Sequence, residues 1–144
     1  MSEVKGIKPK GQDFELNTGS PHYIIFKKDV SKLDVFNEGQ KVRYNATYSE
    51  KGINVNFVEI KKNELYIRTY ERGVENETLS CGTGVTAAAI AFANLDKKKK
   101  AYVINIQTLG GKLMVSFKTK DHNFFTDIHL TGPATMVYKG QINI

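Results

Sequence analysis

The sequence predicts an α+β domain in which many short strands curl about one buried helix. Two observations predict it. Val85–Ala93 carries no charge on any face and is mostly Ala, Ile and Phe, and a helix apolar all round must be buried. Before and after that run, short stretches alternate apolar with polar side chains and stop at Gly, Pro, Asn or Asp, the pattern of half-buried strands. Periodicity leaves the closure of the sheet open.

Taken in order, residues 1–12 are polar, carry Gly6, Pro9 and Gly11, and read as a flexible leader. Tyr23–Phe26 is a short apolar strand entered through Gly19-Ser20-Pro21-His22. Residues 31–40 are mixed and read as one helical turn or a loop, and Lys41–Tyr44 as an edge strand. Asn54–Ile60 places Val55 and Phe57 on one face and Asn56, Val58 and Ile60 on the other. Lys61-Lys62-Asn63 turns the chain into Glu64–Tyr70, which is hairpin logic. After the helix, Ala101–Thr108 and Lys112–Lys118 alternate on either side of the Gly110-Gly111 reversal. Asp121-His122-Asn123 leads into Phe124–Thr131, Gly132-Pro133 ends that strand, and Ala134–Tyr138 reads as a last one.

Composition narrows the functional classes. The 144 residues make one domain, able to bury about 70% of the surface its unfolded chain exposes. No stretch approaches the ~20 apolar residues that cross a bilayer, and the start has no apolar core of a secretory signal, so no membrane is expected. One cysteine cannot close an internal disulfide, which suits a reducing cytoplasm. The net charge of +6 fits a nucleic-acid surface or attraction of a small anion. The lysines are scattered apart from Lys97–Lys100. Phosphate binders more often interleave basic groups with aromatic or recognition-helix positions, so the run reads as a solvated turn and no nucleic-acid partner is expected.

The chemistry gathers at ETLSCGTGV (77–85). Cys81 stands where a strand-rich segment turns into the helix through Gly82-Thr83-Gly84. A helix start leaves N–H groups unpaired and carries the positive end of the dipole, so a thiol there ionises more readily than a free one. The N–H groups of Gly82, Thr83 and Gly84 make a cradle for a carboxylate, and two glycines let it approach closely. The plain alternative is a cysteine serving as a small buried hydrophobe. Nothing points to a Schiff-base lysine or a phosphate site for pyridoxal phosphate, and neither cofactor nor metal is expected.

YERG (70–73), ETLSCGTG (77–84) and the Ala-rich helix, in that order, resemble the second-half signature of diaminopimelate epimerase. GSPH (19–22), EGQKVRY (38–44), GINVNFVE (52–59) and LTGPATMVYKG (130–140) resemble that family too. The resemblance implies a β-barrel-like, mostly antiparallel curled sheet with the helix inside. It implies a cofactor-independent epimerase with one catalytic cysteine in each of two similar halves, this chain being the C-terminal half and Cys81 its cysteine. Partners are then an amino-acid substrate and an N-terminal half or another copy of the chain. Residues from about 134 to 144 are the segment that would complete the other half.

Roles carry over by position. Asn54 and Arg72 match residues that grip the substrate's distal carboxylate, and Glu71 one that contacts the ammonium or assists a thiol. His22 matches a residue near the partner cysteine, and Gly82 and Thr83 the cradle for the reacting carboxylate. Ser20 stands where most members have Asn, as a shorter hydrogen-bonding group. One extra residue between YERG and the cysteine makes that loop bulge, with Glu75 or Glu77 displaced. Two other readings stay open: a proline racemase-like isomerase of the same fold, and a non-catalytic half that binds carboxylates or a partner chain.

Overall fold

The charge-free run belongs to a helix longer than its apolar core. In the computed structural model, which describes residues 1–62 and 64–143, this helix spans Gly82–Asp96. It is preceded by a helix over Val35–Arg43, so the two are named α2 and α1. Everything from Gly84 to Ala91 and Ala93 is buried. Five alanines in that stretch (Ala87, Ala88, Ala89, Ala91 and Ala93) keep the helix thin, which lets strands approach it from every side.

Ten strands surround it among the described residues: β1 (Val4–Lys5), β2 (Lys8–Lys10), β3 (Asp13–Asn17), β4 (Pro21–Phe26), β5 (Asn54–Lys61), β6 (Glu64–Glu71), β7 (Asn76–Thr78), β8 (Ala101–Thr108), β9 (Gly111–Thr119) and β10 (Phe124–Thr131). Nine lie in the order β1-β10-β9-β8-β6-β5-β4-β3-β2, and β7 pairs with β6 off that path. Pairing is antiparallel except for β4–β5 and β6–β8, the two places where a helix carries the chain across. β1 and β2 are the ends of this order, yet only Gly6 and Ile7 separate them in the chain. Three residue steps reach about 11 Å at most, so the two edges of the sheet are tethered to each other and the sheet curls into a barrel. α2 touches β3, β4, β5, β6, β8, β9 and β10. The α+β, curled, mostly antiparallel architecture around one central helix is therefore the one expected.

The strands sort their side chains by parity. On β5, Val58 packs inward against α2, while Val55 and Phe57 face outward into a second cluster with Val35 of α1, Ile53 and Tyr70. α1 comes close enough to close that cluster because Gly39 has no side chain: a Cβ there would lie 2.4 Å from the Tyr70 Cβ. On the outer surface Arg68 pairs with Glu77 through two bonds of 2.6 and 2.7 Å and donates to the carbonyls of Val30, Ser31 and Leu33. That guanidinium pins the 3-10 turn Val30–Lys32 to the sheet.

Three expectations are corrected. Residues 1–12 are not a loose leader: Val4–Lys5 pairs with Phe124 and Phe125 of β10, Lys8–Lys10 pairs with β3, and Val4 is buried. Lys41–Tyr44 is not an edge strand but the last turn and cap of α1. Asp34 starts that helix by accepting from the Asn37 N–H at 3.1 Å, and Lys41 and Arg43 sit at its negative end. Ala134–Tyr138 is not a strand; residues 132–143 lie outside any strand or helix, with Met136, Val137, Tyr138 and Ile142 exposed. β9 lies along one side of β10, while β1 covers only Phe124 and Phe125 on the other, and the segment does not add to the rest of that edge. The turn expected at Lys61-Lys62-Asn63 lies partly outside the described residues at Asn63, as does the final Ile144 of the last segment.

Candidate active site at the start of the central helix

Inward-facing positions of the strands are apolar along most of the barrel and turn polar where α2 begins. His22 and Ile24 share the inner face of β4, and Asn54, Asn56 and Val58 that of β5. The parallel register sets His22 opposite Asn54, and the antiparallel one sets Asn56 opposite Thr69 of β6. His22, Asn54, Asn56 and Thr69 are all buried. Buried polar groups need partners, and these find one another: His22 Nδ1 lies 2.8 Å from Asn56 Oδ1, and Asn56 Nδ2 donates to Thr69 Oγ1 at 2.7 Å.

Cys81 is the N-cap residue of α2 in extended conformation, and no side chain caps the helix. Cys81 is 9% exposed, and its sulfur lies 3.4 Å from Thr83 Oγ1. Thr83 Oγ1 lies 2.9 Å from His22 Nε2 and 3.2 Å from Ser20 Oγ, and the latter two are 2.9 Å apart. Thr18 Oγ1 donates to the Thr83 carbonyl at 2.8 Å, tying the strand entry to the helix start. Gly84 makes this approach possible, since a Cβ there would lie 2.4 Å from Asn56 Nδ2 and 3.2 Å from His22 Cε1.

The expected residues thus fall into three groups. Cys81, Thr83, Ser20 and His22 form one hydrogen-bonded cluster, with Gly82 beside it at the helix start. Asn54 joins them from below. Its Nδ2 donates to Ser20 Oγ at 3.1 Å and to the Pro21 carbonyl at 2.9 Å, and its Oδ1 accepts the Arg72 backbone N–H at 2.9 Å. Arg72 is exposed, donates to the Lys51 carbonyl, and forms no ion pair among the described residues. Glu71 stands apart, accepting from Thr78 Oγ1 at 2.8 Å on β7.

Around the extra residue before the cysteine, both glutamates are held by the chain's own side chains. Gly73 and Glu75 take positive φ (92° and 57°), and the Glu75 carboxylate accepts from Arg43, Tyr44, Tyr70 and the Gly73 N–H. Glu77 is the partner of Arg68.

Sequence reasoning missed Asn56, Thr69 and Thr18. The signal was present for Asn56: alternation already set it on the face of Val58, and an amide in an inward slot has to bond something.

Burial lowers the pKa of His22 from 6.5 to about 4; the Asn56 hydrogen bond opposes this and the positive charge of Arg72 adds to it. The ring is neutral at physiological pH. An unfolded His22 titrates near 6.5, so as pH falls from 7 toward 4 the unfolded chain binds a proton that the folded chain refuses, and stability is lost across that window. Urea unfolding at pH 7 and 4.5 should show a loss about 2 kcal/mol larger for the wild type than for His22→Gln. Equal losses would mean that His22 is not held neutral.

Among the described residues no helix is long and apolar enough to cross a membrane, and no group of three or more His, Cys, Asp or Glu is arranged to hold a metal ion. A cleft of about 390 Å³ lies at the far end of α2, lined by Ile60, Glu64, Phe92, Asp96 and Lys99 among others, away from Cys81.

Solved structures share this fold. A structure described as a predicted epimerase from Pseudomonas aeruginosa superposes with a TM-score of 0.57 at 11% identity, covering 74% of this chain and 36% of that one. A hydroxyproline epimerase from Agrobacterium vitis, solved with trans-4-hydroxy-L-proline bound, gives a TM-score of 0.52 at 10% identity, covering 84% and 38%. The fold is that of these epimerases. The sequence then narrows it: the chain belongs to the diaminopimelate epimerase family, whose model matches residues 14–137. The diaminopimelate epimerase of Flavobacterium psychrophilum is 50% identical over 144 residues, 99% of this chain and 55% of the relative. That of Methanocella arvoryzae is 42% identical over 130 residues, 90% of this chain and 43% of the relative. The chain spans about half the length of the curated relatives it matches.

Proposed function

We propose that this chain supplies one of the two acid–base thiols of a diaminopimelate epimerase, which interconverts LL- and meso-diaminopimelate without a cofactor in the cytoplasm. The observation that carries the reading is Cys81 at the first turn of a buried helix, with the Thr83 hydroxyl on its sulfur and His22 behind it. Inverting a carbon centre needs one group to remove the α-proton and a second, on the opposite face, to return one. Cys81 serves one face. The other belongs to a companion half, either in one longer polypeptide or as a separate chain.

The remaining roles follow from charge and geometry. An α-carboxylate against the N–H groups of Gly82, Thr83 and Gly84 gains the positive end of α2 just where charge builds up during proton removal. The Arg72 guanidinium, exposed and without a carboxylate of its own among the described residues, takes the distal carboxylate. Asn54 contributes by fixing the Arg72 backbone, because both hydrogens of its amide are already committed to Ser20 and Pro21. Glu71 serves the substrate ammonium. The companion half docks over the exposed Leu79 and Leu130, the latter reaching within 3.1 Å of where a Gly82 Cβ would stand, and residues 134–143 extend into it.

A proline racemase-like reading shares the thiol and the cradle but gives Arg72 nothing to hold. Hydrogen–deuterium exchange at the substrate α-carbon separates them, measured with this chain alone and joined to the N-terminal half of a relative. Exchange into diaminopimelate only when both halves are present is expected. Exchange into proline but not into diaminopimelate would sink the assignment.

A further inference from the structure

His22 is wholly buried and has a partner on each ring nitrogen. Asn56 decides which nitrogen carries the hydrogen. Its Nδ2 donates to Thr69 Oγ1, and its Oδ1 is the atom that meets His22 Nδ1. An amide oxygen only accepts, so Nδ1 carries the hydrogen and Nε2 the lone pair.

Two hydroxyls converge on that lone pair, Ser20 Oγ and Thr83 Oγ1, each 2.9 Å away and 3.2 Å from one another. Only one can donate to it at a time. Ser20 Oγ already accepts from Asn54 Nδ2, so its own hydrogen is free to go to Nε2 or to Thr83. Thr83 Oγ1 is also the hydroxyl on Cys81 Sγ. When Thr83 donates to His22, its oxygen is left to accept the Cys81 S–H. When Ser20 donates to His22 instead, the Thr83 hydrogen is released to point at a Cys81 thiolate. Both arrangements satisfy every group, and apart from the proton on Cys81 itself they differ by two hydroxyl rotations with no heavy atom moving.

We propose that Ser20 and Thr83 are an exchange pair of hydroxyls, seated on a His22 whose tautomer Asn56 and Thr69 fix, that serves Cys81 as thiol and as thiolate in turn. The inference rests on the epimerase reading, in which Cys81 alternates between those forms. Asn56, Thr69 and Ser20 are positioning residues, acting on the thiol through His22 and Thr83. No net proton travels along the chain of bonds; the proton that Cys81 gains or loses is exchanged with the substrate carbon. A hydroxyl pair of this kind suits a base that must also be an acid, because neither form of the thiol is left without its partner.

The tautomer can be read in the unmodified chain. Two-bond nitrogen–proton correlation spectra of the ¹⁵N-histidine-labelled protein at pH 7, with His22→Gln to assign the signal, should show His22 protonated at Nδ1. A hydrogen on Nε2 overturns the proposal. Cys81 is the chain's single cysteine, so alkylation by iodoacetamide reports on it alone. In Ser20→Ala the Thr83 hydrogen is retained by His22, and losing one charge-assisted hydrogen bond to the thiolate should slow alkylation at pH 7 about tenfold. Ser20→Thr, which keeps a hydroxyl, should restore most of the rate. An unchanged rate in a folded Ser20→Ala protein overturns the proposal as well. Neither measurement uses a substrate or a companion half. Both coming out as expected while the diaminopimelate assay fails would therefore remove the substrate assignment and leave the hydroxyl pair standing.

Discussion

Cys81→Ala is expected to lower α-proton exchange in the completed enzyme by roughly 10²–10⁴-fold, the range a positioned acid–base group contributes. The loss should come without a matching loss of stability. Cys81 sits at the cap of α2, at the boundary of the core, and its side chain makes one hydrogen bond, to Thr83. Cys81→Ser is the sharper version. Serine is a preferred helix cap, worth about 1 kcal/mol over a residue that cannot cap, so the melting temperature should hold or rise while exchange collapses. Deuterium incorporation into diaminopimelate, followed by proton NMR beside a thermal melt of each variant, gives both readouts. Retention of more than a tenth of the wild-type exchange in Cys81→Ala would remove this thiol from the reaction.

Gly84→Ala is expected to destabilise the protein by about 2–4 kcal/mol, seen as a melting temperature lower by roughly 8–15 °C. The sign is informative, because within an isolated helix Ala is better than Gly by about 1 kcal/mol. Packing reverses that preference here. The added methyl would lie 2.4 Å from Asn56 Nδ2, an atom that cannot swing aside cheaply. It is buried and bonded to Thr69, while the same amide's oxygen holds His22. Either the helix start is pushed off the strands or the amide gives up a bond, and a buried polar group left unpaired costs about 1–3 kcal/mol. Both outcomes shift His22 relative to Thr83, so exchange should fall more than tenfold as well. A Gly84→Ala protein as stable as the wild type would show that α2 does not press on the Asn56 amide.

How far the sequence reached depended on how local each signal was. Strand alternation on Asn54–Ile60, Glu64–Tyr70, Ala101–Thr108 and Lys112–Lys118 is written within a few residues, and it grouped the side chains that share a face correctly. The absence of charge from Val85 to Ala93 announced a central helix, and the glycines after Cys81 announced its start. α1 was hidden because its apolar face is thin and its stabilising contacts, Val35 and Gly39 against Tyr70, come from a strand far along the chain. The leader was hidden for a similar reason: nothing in Val4–Lys10 hints at pairing until β10 and β3 present their edges.

The sequence by itself determined the fold class and the place of one thiol at the tip of a buried helix, because periodicity and helix ends are properties of adjacent residues, and its YERG and ETLSCGTG motifs carried the resemblance to the family. Only the tertiary structure decided that Gly6 and Ile7 tie the two sheet edges together, that Ala134–Tyr138 forms no strand, and that Asn56 and Thr69 stand behind His22. Those outcomes depend on register between strands distant in the chain. A hydrogen bond of 2.8 Å from β4 to β5 exists only once the backbone has brought both ends together.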